Sequence, residues 1–240
     1  MPTASAAKQQ LIDTLTRGVR VDFLPQAPAD HSKAVRDSAV LILFGTLDRV
    51  TAETQTTETQ AVSPSLDVLL TRRADGMRHH PGQIAFPGGG WEAEDVLPNG
   101  ERSLEDTALR EAAEETGLDP SGVEILGRLP EIYVPVSQNL VTPIVGWWSR
   151  PSTIRADDTE SVQVFRVPVA ELLDPHRRGL SVLRRPIGNT VQTFRAPAFQ
   201  LHERFGGHIV WGFTGMLLSS LFIELGWAVP WSQAQEFPVQ

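Results

Sequence analysis

"SLEDTALREAAEETGL", residues 103–118, sets three glutamates within five residues, with an arginine just before them and a glycine just after. Ser103 is a candidate N-cap, and Glu105 and Asp106 put negative charge into the first turn. Gly117 can take the left-handed conformation that closes a helix, and Pro120 prevents its continuation. The spacing predicts a helix over 104–116. At 3.6 residues per turn, Glu111, Glu114 and Glu115 share an arc of about 100°. Ala108, Leu109, Ala112 and Ala113 fill the neighbouring arc, where small side chains let a helix approach a sheet closely. Arg110 lies one turn before Glu114 and can pair with it. Three carboxylates on one face repel unless something cationic neutralises them. A hard divalent cation with oxygen ligands does so, and Mg²⁺ is the usual one. The competing reading is a solvated acidic face with one ion pair to Arg110.

The surroundings decide between these. Upstream, "FPGGG" (86–90) reads as a glycine-rich loop, able to bring backbone groups close to an ion or a phosphate. "AVLILFGTL" (39–47) reads as a buried strand and "LDVLLTRR" (66–73) as a second. The polar run at 53–60 reads as a loop or edge, and 91–102 as a polar connection with turn signals at Pro98 and Asn99-Gly100. Further strands are expected at 122–128, 140–149 and 162–168, with short ones between 180 and 211. Helices are expected at 8–18, where a short amphipathic helix would be peripheral, at 169–178, and over about 213–225. Strands outnumber helices, which indicates a mixed α+β domain.

Composition narrows the functional classes. The absence of cysteine excludes disulfides, thiolate metal sites and cysteine nucleophiles. A net charge of −8 argues against a general nucleic-acid binder. An anionic substrate then requires cations or a local basic cluster at its site. "IVWGFTGMLLSSLF" (209–222) is too short to span a bilayer and is followed by Glu224, so it reads as a buried helix, with Phe213 in core packing. The N-terminal residues lack a basic segment followed by an apolar one, and the expected location is the cytoplasm.

"REAAEETGL" (110–118) resembles the second half of the Nudix box, the Arg-Glu-apolar-x-Glu-Glu-x-Gly-apolar signature of the Nudix hydrolases. At average composition, a chance match of these five fixed residues has a probability on the order of 10⁻⁶ per start position. The first half departs. Where the general pattern wants Gly and Glu, this chain has Val96 and Arg102, while "GGG" (88–90) lies further upstream. An insertion of about six residues within 92–100 accounts for this, and it leaves Glu92, Glu94, Asp95 and Glu101 all open as the missing acid.

A second stretch, "LLTRRADGMRHHPGQIAFPGG" (69–89), is similar to the segment that marks the coenzyme A pyrophosphatase branch of the family. Leu69-Leu70-Thr71, Arg73, Arg78, Gly82 and Phe86-Pro87-Gly88-Gly89 carry the likeness. "TALRE" (107–111), "LVTPIVG" (140–146), "ESVQVFRVPVAELLDP" (160–175) and "IVWGFTGMLL" (209–218) extend it over about 36–226. Independently of the resemblance, Arg72, Arg73, Arg78, His79 and His80 form a basic cluster in an acidic chain, and arginine forks suit phosphates. A metal-binding His79–His80 pair is not expected, because neighbours on a strand point to opposite faces.

The resemblance implies an α/β/α sandwich with a mixed central sheet. The domain would span 36–230, between an N-terminal extension (1–35) with a short helix and a C-terminal tail (231–240). It implies a metal-dependent hydrolase that cleaves the pyrophosphate of coenzyme A or acyl-CoA, with Mg²⁺ or Mn²⁺ held by Glu111, Glu115 and Glu114. Arg110 would orient the glutamates. Glu114, Glu160 and a carboxylate within 92–101 all remain candidates for the general base. Arg72, Arg73, Arg78, Gly88 and Gly89 would meet the substrate, Gly88 or Gly89 through a backbone carbonyl. A small nucleotide is the expected partner, with no nucleic acid or membrane, and a homodimer is one assembly the sequence allows. Rival readings are another Nudix substrate such as ADP-ribose or NADH, a non-catalytic nucleotide sensor, and an acidic helix with no site.

Overall fold

The computed structural model describes residues 3–21, 35–46, 52, 61–77, 80–188 and 190–239. In chain order, helix α1 (Ala4–Arg17) precedes β1 (Arg36–Thr46), β2 (Leu66–Arg73), β3 (Ile84–Ala85) and β4 (Gly88–Gly90). Helix α2 (Leu104–Thr116) leads into β5 (Val123–Arg128), β6 (Ile132–Val134), β7 (Asn139–Trp148) and β8 (Ser161–Pro168). Then come α3 (Val169–Leu172), β9 (Arg178–Ile187), β10 (Thr190–Gln200), β11 (Ile209–Val210), α4 (Gly212–Glu224) and β12 (Glu236–Val239).

The run around 39–47 becomes the axis of the molecule. β1 pairs parallel with β7 and antiparallel with β2 and β4, giving a mixed sheet in the order β3-β2-β1-β7-β5, with β8 on β2 and β6 on β7. Successive residues of β1 serve opposite faces. Ala39, Leu41 and Leu43 meet Ala108 and Ala112 of α2, together with Leu69, Ile144 and Trp148. Ile42 and Phe44 join the larger core, which takes in Leu217, Leu221 and Phe222 of α4 and Ala7 and Leu11 of α1. With both faces covered, β1 needs no polar alternation, so its sequence reads as one apolar run. The fold is α+β with helices on both sides of a mixed sheet, as expected. A second sheet, β11-β10-β9-β12, lies beyond β8 in the chain.

Several expectations change. The N-terminal helix begins at Ala4 and is not peripheral: Ala7, Leu11 and Thr14 are buried, and the Trp227 indole N–H donates to Gln10 Oε1 at 2.8 Å. "FPGGG" is not a loop at its glycines, because Gly88–Gly90 form a strand on β1. The helix expected at 169–178 stops at Leu172. Asp174 caps a separate 3₁₀ turn at Pro175–Arg177, since proline cannot continue the helix, and Arg178 already belongs to β9. The strands of 180–211 include a long hairpin, not only short pieces. Residues 236–239 pair parallel with β9. Phe213 packs half-buried against the core, as expected. The reading of 53–60 lies outside the described residues.

Candidate active site

Helix α2 forms where the sequence puts it. Ser103 Oγ accepts from the Asp106 N–H at 3.1 Å, and Gly117 closes the helix at φ 66°, its N–H donating to Ala113 O at 2.8 Å. Burying Ala108 and Ala112 against the sheet turns the glutamates along the edge of that contact. The three are not equivalent. Glu115 is 3% exposed and Glu111 is half-buried, whereas the Glu114 side chain is 63% exposed. Glu115 therefore does not face solvent; it lies against the sheet beside the buried alanine.

Arg110 is the hub. Its Nε and Nη2 donate to the two oxygens of Asp95, each at 3.0 Å, in a fork-to-fork pair. Nη1 donates to Glu111 Oε1 at 3.0 Å and lies 3.5 Å from Glu114 Oε1. Nη2 also donates to Gly90 O at 3.0 Å. The expected pairing with Glu114 is thus the weakest of its contacts, and the role in orienting a glutamate falls on Glu111. Asp95 is buried. It also accepts the Thr107 hydroxyl at 2.9 Å and the Glu92 N–H at 3.0 Å. Burial pushes its pKa up, but the Arg110 pair and these bonds outweigh that and hold it below the usual range.

Asp95 is the acid the sequence left open. The intervening residues fold back as a tight hairpin: Val96 bridges Arg102, the Leu97 N–H donates to Glu101 O at 2.7 Å, and the Ser103 N–H donates to Asp95 O at 2.9 Å. The hairpin ends meet, so Asp95 sits directly before α2 in space despite the extra residues. Arg102 seals the base by pairing with Asp37 and stacking over Trp91, 4.5 Å from the ring centre.

The glycines of β4 pass beneath the glutamates. A Cβ on Gly89 would lie 2.4 Å from the Glu111 carboxylate, so only glycine leaves that carboxylate its place. A Cβ on Gly88 would meet Ala39 O at 2.3 Å, which the β1–β4 pairing forbids. The Gly88 N–H hydrogen-bonds Glu115. The Ser161 hydroxyl donates to Glu115 Oε2 at 3.1 Å, while Glu115 Oε1 is buried and has no hydrogen-bond partner among the described residues.

Burial pushes Glu115 up to about 7 against the opposing pull of the Arg73 charge, the Ser161 and Gly88 hydrogen bonds, and with a further push from Glu111. Burial also raises Glu111, partly offset by Arg110, and the charges of Glu114 and Glu160 raise it further. Glu160 is exposed at the turn before β8. Asp95, Arg110, Glu111, Glu114 and Glu115 thus run along α2, with the Arg73 charge acting on Glu115 and the Glu160 charge on Glu111.

Arg72 is not part of that group. β2 alternates, with Leu69 in the α2-side core and Leu70 in the opposite one, so Arg73 reaches Glu115 while Arg72 points away. Arg72 Nη2 pairs with Asp75 at 2.7 Å, and its charge helps lower the pKa of His208, after burial. Arg78 and His79 lie outside the described residues. His80 takes φ 55° in a turn, with Nδ1 3.1 Å from Gln83 Oε1.

The residues suit a divalent cation in part. The Glu115 oxygen that is unpartnered among the described residues and the Glu111 carboxylate over Gly89 are oxygen donors of the kind such an ion takes. Among the described residues, no three acidic or histidine side chains converge closely enough to enclose an ion alone. That fits Mg²⁺, which keeps waters and substrate oxygens and takes only one or two carboxylates from a protein. No described helix is long and apolar enough to cross a membrane.

Comparison with known proteins agrees with this geometry. The NUDIX domain family matches residues 37–185. The chain is 37% identical over 164 residues to the protein of Salmonella paratyphi B described as "Uncharacterized Nudix hydrolase NudL", a match covering 68% of this chain and 77% of that one. Among solved structures it is similar to the M. smegmatis Nudix hydrolase RenU, at 20% identity and TM-score 0.39 over 56% of this chain and 71% of that one. It is also similar to the NUDIX domain of Shewanella oneidensis NrtR complexed with ADP ribose, at 21% identity and TM-score 0.39 over 62% and 82% of the two chains. The matched domain runs through the mixed sheet and the glutamate helix alike, and the chain belongs to the Nudix family, as a pyrophosphohydrolase.

Proposed function

We propose that this Nudix hydrolase cleaves the pyrophosphate of coenzyme A or acyl-CoA, giving 3′,5′-ADP and 4′-phosphopantetheine or its acyl form, in the cytoplasm. The observation that carries the reading is where the two ends of the stretch 69–89 lie, at 69–73 and 84–89. At one end the Arg73 charge acts on Glu115, and at the other Gly88 and Gly89 run beside Glu115 and Glu111. That both ends of the stretch resembling the coenzyme A branch lie by the glutamates supports the reading.

Nudix hydrolases generally use a divalent cation such as Mg²⁺ or Mn²⁺. The chemistry such a cation would supply is a more acidic water and charge to offset what develops on the phosphate. Glu111 and Glu115 are the residues to hold it, with Glu114 as a third, outer contributor, since its carboxylate is exposed and only loosely paired. Arg110, locked by Asp95, keeps the Glu111 carboxylate aimed over Gly89. Arg73 offers a fixed positive charge to the pyrophosphate. Glu160, exposed and with a charge that acts on Glu111, is our choice among the candidate bases to take the proton of the attacking water. The water oxygen bonds to phosphorus, the anhydride P–O bond breaks, and the departing phosphate takes the electron pair. Arg72, on the other face, is a candidate for substrate contact away from the cleaved bond.

The test is a direct competition. Coenzyme A, ADP-ribose and NADH are offered side by side and products are separated by chromatography. The proposal expects the highest kcat/KM for coenzyme A, with 3′,5′-ADP as product. Preferred cleavage of ADP-ribose or NADH would leave the hydrolase intact and remove the branch assignment.

A further inference from the structure

The turn at 157–161, just before and at the start of β8, is held by one carboxylate. Asp157 accepts the Glu160 N–H at 3.2 and 3.1 Å, the Ser161 N–H at 2.8 Å and the Thr159 hydroxyl. The Asp158 N–H returns to Ser161 O at 3.0 Å, and Asp158 takes φ 65°, a left-handed conformation uncommon outside glycine. The Ala74 N–H donates to Glu160 O at 2.8 Å, which pins the turn to the end of β2. A turn that only connected two elements would not need this many bonds on a single side chain.

The turn delivers two groups to the site. Ser161 is fully buried, and its hydroxyl engages Glu115 Oε2. One glutamate oxygen is thereby fixed while the other, in a buried place, has no partner among the described residues. One residue earlier, Glu160 stands exposed beside Glu111, close enough for its charge to act on it.

We infer that Asp157 and Ser161 are positioning residues of the hydrolytic site: Asp157 fixes the turn, Ser161 orients the Glu115 carboxylate with one oxygen open to a cation, and the same turn presents Glu160 beside Glu111. This rests on the reading of Glu111 and Glu115 as the cation-holding pair. Its consequence is that cation affinity and water activation are set by one rigid turn, so disturbing Asp157 weakens both.

The experiment is Mn²⁺ titration of the metal-free protein by calorimetry, alongside kcat and KM for coenzyme A and a thermal melt. Ser161→Ala should weaken Mn²⁺ binding about tenfold, the usual loss when a ligand's hydrogen-bond partner is removed. Ser161→Thr, which keeps the hydroxyl, should restore it. Asp157→Ala should lower Mn²⁺ affinity and kcat together, and Asp157→Asn, which keeps one acceptor oxygen, should fall between. If Asp157→Ala does not fold, the Asn and Ser161 variants decide. Folded Asp157 and Ser161→Ala variants that match wild type in both readouts would overturn the inference. So would a Thr variant as impaired as the Ala one, because packing rather than the hydroxyl would then matter. A wild type that binds no Mn²⁺ would instead overturn the cation-site reading beneath it.

Discussion

Glu115 is a carboxylate placed where a carboxylate is costly. Its pKa of about 7 lies above the ordinary 4.5, so the folded, metal-free protein holds a proton that the unfolded chain has released. Between pH 4.5 and 7 stability therefore falls as pH rises, by up to on the order of 3 kcal/mol, and levels off above 7. Glu115→Gln removes this dependence. Denaturant melts of the metal-free protein from pH 5 to 8 should show a declining wild-type stability and a flatter variant. A variant as pH-dependent as wild type would place the titration elsewhere. The same substitution should abolish metal-dependent turnover, because a neutral amide cannot replace the charged oxygen donor.

At the scale of elements, β4 and the hairpin after it carry separable duties. Gly89→Ala pushes only against the movable end of Glu111, so it should leave the melting temperature within a few degrees while removing most activity. Gly88→Ala drives into the backbone of β1 and should destabilise the fold by several kcal/mol. Equal loss of stability in both would contradict this division. The hairpin at 96–102 makes a complementary case. Replacing Leu97–Glu101 by a two-residue turn should keep kcat within about threefold, whereas Asp95→Ala, which frees Arg110, should cost at least about tenfold. Steady-state kinetics on the two variants separates them, and inactivation by the shortened turn would mean the insertion itself reaches the substrate.

These elements also show what was legible in the sequence. The helix at 104–116 was fully so, because its cap, its stop and its apolar face all lie within the segment. Asp95 was not: its register with Arg110 depends on a hairpin closing, and four acids near the insertion looked alike. The separation of Arg72 from Arg73 was legible from strand alternation alone, yet a run of basic residues invites grouping. The burial of Glu115 was not legible either, because a helical wheel gives an angle and not the depth to which the neighbouring strand covers it.

The whole molecule depends on contacts that no local pattern announces. Gln10 and Trp227 stand 217 residues apart in the chain, and their hydrogen bond ties α1 to the segment after α4. Leu11 has no exposure and belongs to the same core as Phe44 and Phe222. Leu11→Ala should therefore cost about 2–4 kcal/mol in a urea melt, where a detached N-terminal extension would show almost none. The molecule as a whole is acidic, at −8, and its basic group at Arg73 faces the glutamate helix. On the proposed function, an anionic substrate is met by that arginine together with a cation, and turnover is expected to need both.

The most direct measurement is coenzyme A hydrolysis by wild type and Glu115→Gln with Mg²⁺, with Mn²⁺ and with EDTA, the products resolved by chromatography. Release of 3′,5′-ADP by wild type with either metal, lost with EDTA and lost in the variant, is the predicted result. Release that persists in EDTA, or an active Glu115→Gln enzyme, would contradict the assignment of this helix as the metal-dependent site.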